Sequence, residues 1–317
     1  MQTRSDSVAA VVQQVLGQVR KVIVGKDATL LWVMAAMLSG GHILLEDIPG
    51  VGKTTMAVAF SKVLGLSYNR VQFTPDVLPS DVTGYSVLDQ NTGKMTYQKG
   101  AVLCNLFLAD ELNRATSRTQ SALLEAMEEG QVTVDGNSYK LPEPFIVVAT
   151  QNPAGAAGTQ LLPDSQMDRF SMRLSLGYPD PEHEVKMVLT RQGKDPMKQL
   201  QPLLDAQTLA KLQEEVAQTH ACEDVVSYVV ALIDATRHDE LILRGGSPRA
   251  TLSVMAVSRA VAQLRGRDYV TPKDVQEVFL RTVAHRILLS PKALSEGVTQ
   301  EEALRRVLER VNPPKIK

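Results

Sequence analysis

The chain has little of several residues on which some protein classes depend. Aromatic side chains make up only 4% of its 317 residues, so it is poorly supplied for stacking the bases of single-stranded nucleic acid. Its 34 basic and 35 acidic residues nearly cancel, and net charge gives no general attraction to nucleic acid or to an anionic membrane. Partners must therefore be recognised by local features.

Cysteine is nearly absent. Cys104 and Cys222 lie far apart and neither belongs to a CxxC pair, which argues against a disulfide framework and against a zinc site. The five histidines are scattered, and His183-Glu184 lacks the second histidine of a zinc-protease helix. The N-terminus has helical spacing and lacks the basic-then-apolar order of a secretion signal. We therefore expect a cytoplasmic location.

No apolar run predicts a membrane span. The uncharged stretch 28–45 approaches the length of about 18 residues at which a membrane helix is considered. The segment Ser39-Gly40-Gly41-His42 interrupts it. The pattern instead predicts an amphipathic helix that ends at Leu38, followed by a buried strand that starts at His42.

The order of apolar runs predicts an α/β fold in two domains. Residues 1–180 alternate short apolar runs with helical patterns, which is typical of a parallel sheet with crossover helices. Residues 181–317 consist mainly of helix formers and predict a smaller all-α domain. The predicted core strands are 42–46, 66–73, 106–109, 145–150 and 170–176. Two hairpins are predicted as insertions, at 84–99 and at 131–140, the second with a type I′ turn at Asp135-Gly136.

Residues 42–55 follow the order strand, glycine-rich loop, helix. The backbone N–H groups of Gly50, Val51, Gly52, Lys53 and Thr54 can surround a phosphate where the helix begins. Lys53 would reach the β- and γ-phosphates of a nucleotide, and the Thr54 hydroxyl would bind Mg²⁺. The motif runs to Thr55, and Asp47 stands where the strict pattern G-x-x-x-x-G-K-S/T has glycine.

Two further strands end in polar residues suited to hydrolysis. The run 106–109 is followed by Asp110 and Glu111, of which the first would hold Mg²⁺ through its water shell and the second would orient and deprotonate the attacking water. The run 145–150 leads to Asn152, which would position that water. Turn formation before Pro153 is the alternative explanation of Asn152.

Several arginines are candidates for stabilising charge on the γ-phosphate. Arg169 precedes the last core strand and would act in trans as an arginine finger on a neighbour's nucleotide. Arg249 opens a helix whose start would face the nucleotide. Arg114 and Arg118 are rival finger candidates, and an ordinary surface ion pair is the alternative for each arginine.

The order of these motifs resembles the MoxR family of AAA+ ATPases. The resemblance covers nearly the whole chain and is carried by residues 46–55, 109–115, 119–129, 149–153, 162–170, 246–250, 266–275 and 285–286. It implies a phosphate-loop NTPase core of the AAA+ type, with a parallel sheet flanked by helices, and a helical lid. It also implies that Asp47 is a familiar variation.

The resemblance implies roles for the matching residues. Lys53 and Thr54 correspond to the family's phosphate-loop residues, Asp110 and Glu111 to its metal-and-water acids, and Asn152 to its first sensor.

Arg169 corresponds to the family's finger and Arg249 to its second sensor, while Ile23-Val24 corresponds to its linker beside the adenine. The family implies ATP and Mg²⁺ as cofactors, a hexameric ring, and a partner with a von Willebrand A domain.

These features together predict a Mg²⁺-dependent ATPase that remodels, assembles or activates a protein partner in a chaperone-like way. A DNA-dependent motor is an alternative, favoured by lid arginines at positions 259, 265, 267, 281 and 286 and by the hairpins. A metal-chelatase-type ATPase subunit and a nucleotide-controlled scaffold with little turnover are further alternatives.

Overall fold

The computed structural model describes residues 7–91, 93–152, 162–190 and 195–315. The strands in these residues are β1 (Ile43–Glu46), β2 (Tyr68–Gln72), β3 (Gly84–Leu88), β4 (Met95–Lys99), β5 (Leu106–Asp110), β6 (Gln131–Val134), β7 (Asn137–Lys140), β8 (Ile146–Gln151), β9 (Met172–Leu174), β10 (Ile242–Arg244) and β11 (Leu288–Leu289). The helices are α1 (Val8–Val19), α2 (Asp27–Leu38), α3 (Lys53–Val63), α4 (Pro79–Thr83), α5 (Ser117–Glu129), α6 (Asp164–Met167), α7 (Pro181–Thr190), α8 (Ala206–Ala217), α9 (Glu223–Arg237), α10 (Pro248–Leu264), α11 (Pro272–Val283), α12 (Pro291–Ser295) and α13 (Gln300–Arg310).

Five strands form the predicted parallel sheet, in the spatial order β2-β5-β8-β1-β9. Each overlaps one of the five predicted apolar runs. Side chains of successive residues alternate between two cores, as the period of a strand requires. Leu106 and Leu108 of β5 pack with α1, α2 and α3, whereas Phe107 and Ala109 pack with α5. The sheet is therefore covered on both faces.

Helix α2 differs from its prediction as an amphipathic helix. It ends at Leu38 as predicted, but every residue from Trp32 to Leu38 is buried. The reason is that α2 contacts β9 as well as the later helices α8 and α10, so no face of this half of the helix is left to solvent. Packing by elements far along the chain cannot be read from the local pattern.

Both predicted hairpins are confirmed. The turn between β6 and β7 has positive φ at Asp135 (49°) and Gly136 (77°), as a type I′ turn requires. The β3–β4 hairpin lies against the second one, because the rings of Tyr97 and Tyr139 stack with centroids 3.9 Å apart.

After β9 the described residues are mainly helical. Strands β10 and β11 form a small antiparallel sheet that the composition did not indicate, because segments of two and three residues are too short to show strand periodicity. Helix α7 begins at Pro181, where the domain boundary is predicted. That boundary stays a prediction, since α1 and α2 pack against α10.

Among the helices in the described residues, none combines the length and the apolar character that a membrane crossing requires.

A buried carboxylate fixes the start of α11. Asp274 has no exposed surface and accepts hydrogen bonds from the backbone N–H of Thr271 (2.8 Å) and its hydroxyl (2.7 Å). Arg265 (2.9 Å) and Arg267 (2.6 Å) pair with the same side chain. Burial acts to raise the pKa of Asp274, but the bonds from Arg267 and Thr271 outweigh burial and leave that pKa below its ordinary value. The carboxylate is therefore ionised in the folded chain.

We predict that Asp274→Asn lowers the free energy of unfolding by about 3 kcal/mol at pH 7, because two arginines lose their buried partner. The folded pKa lies below the unfolded one, so this stabilisation is present above the unfolded pKa of about 3.9 and is lost as the pH falls through the folded value. Urea unfolding at pH 7 and at about pH 2 measures both effects. Glu277→Gln, on the same helix with a side chain 36% exposed, is the control and should cost less than about 1 kcal/mol. An equal loss in both variants would contradict the prediction.

Candidate nucleotide site

The loop between β1 and α3 has the backbone that a phosphate needs. Gly50 and Gly52 have φ values of 87° and 97°, a region that side chains other than glycine rarely adopt. A Cβ atom added at either position would meet no atom within 4 Å, so open space lies beside this backbone. Val51 packs partly against the core between them. The loop therefore fits a phosphate group at the start of α3.

Lys53 lies buried at the first position of α3. Its Nζ donates to the backbone carbonyl of Asp47 (2.8 Å), which folds the side chain back over the loop. Burial lowers the pKa of Lys53 from its ordinary value, and the nearby carboxylates of Asp47, Asp110 and Glu111 oppose that shift. Its charge therefore lies between the loop and the acidic ends of the strands. Thr54 and Thr55 follow it in the first turn of α3.

Asp47, which replaces the glycine of the strict motif, does not point its carboxylate at the loop. The side chain is 5% exposed and accepts bonds from Ser175 Oγ (2.7 Å), Leu176 N (2.6 Å) and Gly177 N (3.0 Å). Residues 175–177 leave the sheet after β9 and lead to α7. Asp47 thus connects the phosphate loop by hydrogen bonds to the segment between β9 and α7.

Asp110 closes β5 and is 8% exposed. Its Oδ1 accepts from the Thr150 hydroxyl (2.7 Å), and its Oδ2 accepts from Arg70 Nε (3.2 Å) and Nη2 (2.8 Å). A carboxylate has about four acceptor sites, so capacity for a metal-bound water remains. Sequence reasoning did not identify Arg70 or Thr150. Their contribution follows from the placement of β2 and β8 on either side of β5.

Glu111 follows directly and has an unusual backbone, with φ of 56°. Its N–H donates to Thr150 Oγ1 (2.8 Å), which helps to hold this conformation. The carboxylate accepts from Gln72 (2.9 Å), Arg114 (2.9 Å) and Asn152 (3.2 Å). The bond from Arg114 is the main cause that holds the pKa of Glu111 below its ordinary value. The Glu111 carboxylate is therefore ionised at neutral pH and accepts hydrogen bonds. Sequence reasoning did not identify its neighbour Gln72.

Asn152 lies beside Glu111, where the sequence placed it. It is 7% exposed, and Nδ2 bonds to Glu111 while Oδ1 has no hydrogen-bond partner among the described residues. A buried amide oxygen of this kind needs a partner, and a water held next to Glu111 would provide one. Pro153, to which the alternative explanation referred, lies outside the described residues.

The segment expected beside the adenine contacts the connection that follows β9. Ile23 is 8% exposed and Val24 is partly exposed. Lys26 donates to the backbone carbonyl of Tyr178 (2.6 Å), and His183 packs so closely on Gly25 that a Cβ would come within 2.4 Å of its ring. The segment therefore contacts the same connection that Asp47 holds.

Arg169 and Arg249 lie at the opposite edge of the sheet. Ser171 N donates to the carbonyl of His42 (2.8 Å), so Arg169 sits at the amino end of β1, whereas the phosphate loop follows its carboxyl end. Four residues of strand separate the two edges by about 13 Å. The structure brings Arg249 beside Arg169, where both pair with Glu128. Arg249 therefore lies away from the phosphate loop of its own chain, and the expectation that the start of α10 faces a nucleotide stays a prediction.

The rival finger candidates lie at the carboxyl edge or nearby. Arg114 is paired with Glu111 of its own chain, with its side chain 39% exposed. Arg118 is exposed in the first turn of α5.

The phosphate loop, the acidic strand ends and the helical second half define an ATPase of the AAA class. Residues 42–172 match the ATPase family associated with various cellular activities (AAA), and residues 234–307 match the AAA lid domain. Membership of this class implies nucleotide binding.

Comparison with individual relatives identifies the family within this class. Chaperone MoxR1 of Mycobacterium tuberculosis (strain ATCC 25618 / H37Rv) is 39% identical over 96% of this chain and 82% of its own. The protein YeaC of Bacillus subtilis (strain 168) is 42% identical over 93% of this chain and 92% of its own. A crystal structure of a candidate ATPase from Cytophaga hutchinsonii has a TM-score of 0.89 and 36% identity, covering 97% of this chain and 96% of its own. The chain belongs to the MoxR family of AAA+ ATPases.

We predict that Asp47→Ala lowers the thermal unfolding midpoint and weakens nucleotide binding. The change leaves the N–H groups of Leu176 and Gly177 without their acceptor, at a cost of about 1–3 kcal/mol for each group that stays buried. Asp47→Asn keeps one acceptor oxygen, so its unfolding midpoint and nucleotide affinity should fall less. Differential scanning calorimetry and a nucleotide titration measure the two effects. If Asp47→Ala kept the wild-type unfolding midpoint and nucleotide affinity, the hydrogen bonds between Asp47 and residues 175–177 would not support the loop.

Proposed function

We propose that the chain hydrolyses ATP with Mg²⁺ and uses the cycle to remodel a protein partner. The observation that carries the proposal is the convergence of Lys53, Asp110, Glu111 and Asn152 at the edge of the sheet where the glycine loop opens. Each has a place in phosphoryl transfer to water.

In this proposal the backbone of residues 50–54 and Lys53 bind the phosphates of ATP. Thr54 and Asp110 hold Mg²⁺, which when bound offsets the charge that develops on the phosphate oxygens. Glu111 orients the attacking water and accepts its proton, and Asn152 fixes the water's position. The geometry supports this assignment, because Asn152 Nδ2 lies 3.2 Å from the Glu111 carboxylate.

We further propose that Arg169 and Arg249 act together on the nucleotide of a neighbouring chain. Their position one strand length from their own phosphate loop supports an action in trans. A chain would then be incomplete alone, and a closed ring, which we propose to be a hexamer, would complete every site.

A protein rather than DNA is the proposed partner. The lid arginines that favoured DNA are largely engaged inside the protein: Arg265 and Arg267 pair with Asp274, Arg281 lies 4.5 Å from the ring centroid of Trp32, and the Arg286 side chain is 1% exposed. The chaperone name of one relative supports the same choice. We propose a partner with a von Willebrand A domain, and a cytoplasmic location that two free cysteines would fit.

We predict that Glu111→Gln retains ATP binding and lowers turnover by roughly 10²–10⁴-fold, because the water loses its acceptor. Lys53→Ala should instead lose binding. Phosphate release and isothermal titration with Mg-ATP separate the two effects, and Glu125→Gln, at an exposed position on α5, is the control. Normal turnover by Glu111→Gln would refute its role, and intact affinity in Lys53→Ala would refute the phosphate site.

The action in trans predicts complementation between two inactive variants. Lys53→Ala chains keep their arginines, and Arg169→Ala chains keep their phosphate loop. We expect each variant alone to turn over slowly and an equal mixture to regain activity, since mixed rings place an intact arginine beside an intact loop. Phosphate release from the mixture measures the effect. Full activity of Arg169→Ala alone would transfer the finger role to Arg114 or Arg118.

A further inference from the structure

One carboxylate joins the two arginines at the amino edge of the sheet. Glu128 Oε2 pairs with Arg169 Nη2 at 2.9 Å, and its Oε1 pairs with Arg249 Nη2. The three residues come from different elements: Glu128 from α5, Arg169 from the segment before β9, and Arg249 from α10. Glu128 therefore connects the sheet domain to the lid. It also bridges the two guanidinium groups.

Local helix energetics do not account for an acid at this position. Glu128 lies in the last turn of α5, which ends at Gly130 and has no basic residue in that turn. The carboxyl end of a helix carries partial negative charge, so an acid there is unfavourable. The two arginines, both distant in sequence, compensate for that cost.

The two guanidinium groups also need an anion between them. Two positive charges that pair with the same carboxylate repel each other. Each contact with Glu128 uses one terminal nitrogen, Nη2, which leaves the Nη1 group of each arginine for a second anion. Glu128 can therefore hold the pair together while both arginines bind a phosphate.

A third arginine, Arg286, lies in the same cleft and binds the backbone next to Arg169. Arg286 lines the same cleft of about 510 Å³, donates to the carbonyl of Phe170 (2.7 Å) and to Ser253 Oγ (2.9 Å), and thereby fixes the residue next to Arg169. Its Nη1 has no partner among the described residues. Asp168 lies 3.6 Å from Arg286 Nε and faces the same cleft. The cleft thus contains three arginines and two carboxylates.

We propose that Glu128 is a positioning residue that holds Arg169 and Arg249 side by side, so that both reach one phosphate of the nucleotide on a neighbouring chain. The inference rests on the proposed action of these arginines in trans. An exposed surface ion pair with no effect on turnover is the competing explanation, since the Glu128 side chain is 41% exposed.

The test compares Glu128→Gln, Glu128→Asp and Glu129→Gln in the assembled protein. Glu129 is the next residue of α5 and is exposed, so it is a matched control. We expect Glu128→Gln to lower kcat about tenfold or more with KM for ATP changed less than about twofold, because only the developing charge loses its partners. Glu128→Asp should recover part of the loss, and Glu129→Gln should match the wild type. A wild-type kcat in Glu128→Gln would overturn the proposal.

A double-mutant comparison separates positioning from a general structural effect. If Glu128 acts through the arginines, Glu128→Gln should change kcat less than about twofold in an Arg169→Ala, Arg249→Ala background. A full tenfold loss there would mean that Glu128 acts elsewhere and would overturn the inference.

Mixing experiments distinguish failure of the inference from failure of the proposed function. Glu128→Gln chains should regain activity when mixed with Lys53→Ala chains, which supply an intact arginine pair, and should not regain it with Arg169→Ala chains. If Arg169→Ala and Arg249→Ala alone leave turnover normal, the action in trans is wrong and the inference falls with it. If they reduce turnover and Glu128→Gln does not, only the role of Glu128 is wrong.

Discussion

The direction of the parallel sheet governs where each functional group lies. Because β1, β5 and β8 run the same way, their carboxyl ends deliver the phosphate loop, Asp110 and Asn152 to one edge. The same direction puts Arg169, which precedes β9, at the other edge. About 13 Å of strand is too far for one guanidinium group to bridge. The proposed division of the catalytic groups between two copies of the chain rests on this distance.

Asp47 gives the phosphate loop a second function in the fold. Its carboxylate binds residues 175–177, and the same connection contacts Lys26 and Gly25 through Tyr178 and His183. These bonds join the phosphate loop to the segment that connects β9 to α7. A glycine at position 47 would satisfy the loop's backbone but would not make this connection.

The residues at the carboxyl edge could be predicted because each follows a strand that its own sequence reveals. Their prediction required only an apolar run and the polar residue after it. The direction of the sheet brings together Lys53, Asp110, Glu111 and Asn152. Their neighbours Arg70, Gln72 and Thr150 could not be predicted in the same way, since their roles depend on which strands lie adjacent. The full burial of α2 and the placement of Arg249 beside Arg169 could not be predicted for a related reason: each depends on packing between elements distant in the chain.

The pairing at Glu128 joins the lid to the sheet domain. Arg249 belongs to the lid and Arg169 to the sheet domain, so a rotation of the lid within one chain would separate the two guanidinium groups. Asp47 links that rotation to the chain's own phosphate loop through residues 175–177. If both arginines serve a neighbour, the state of one nucleotide site is transmitted through the lid to the arginines that complete the next.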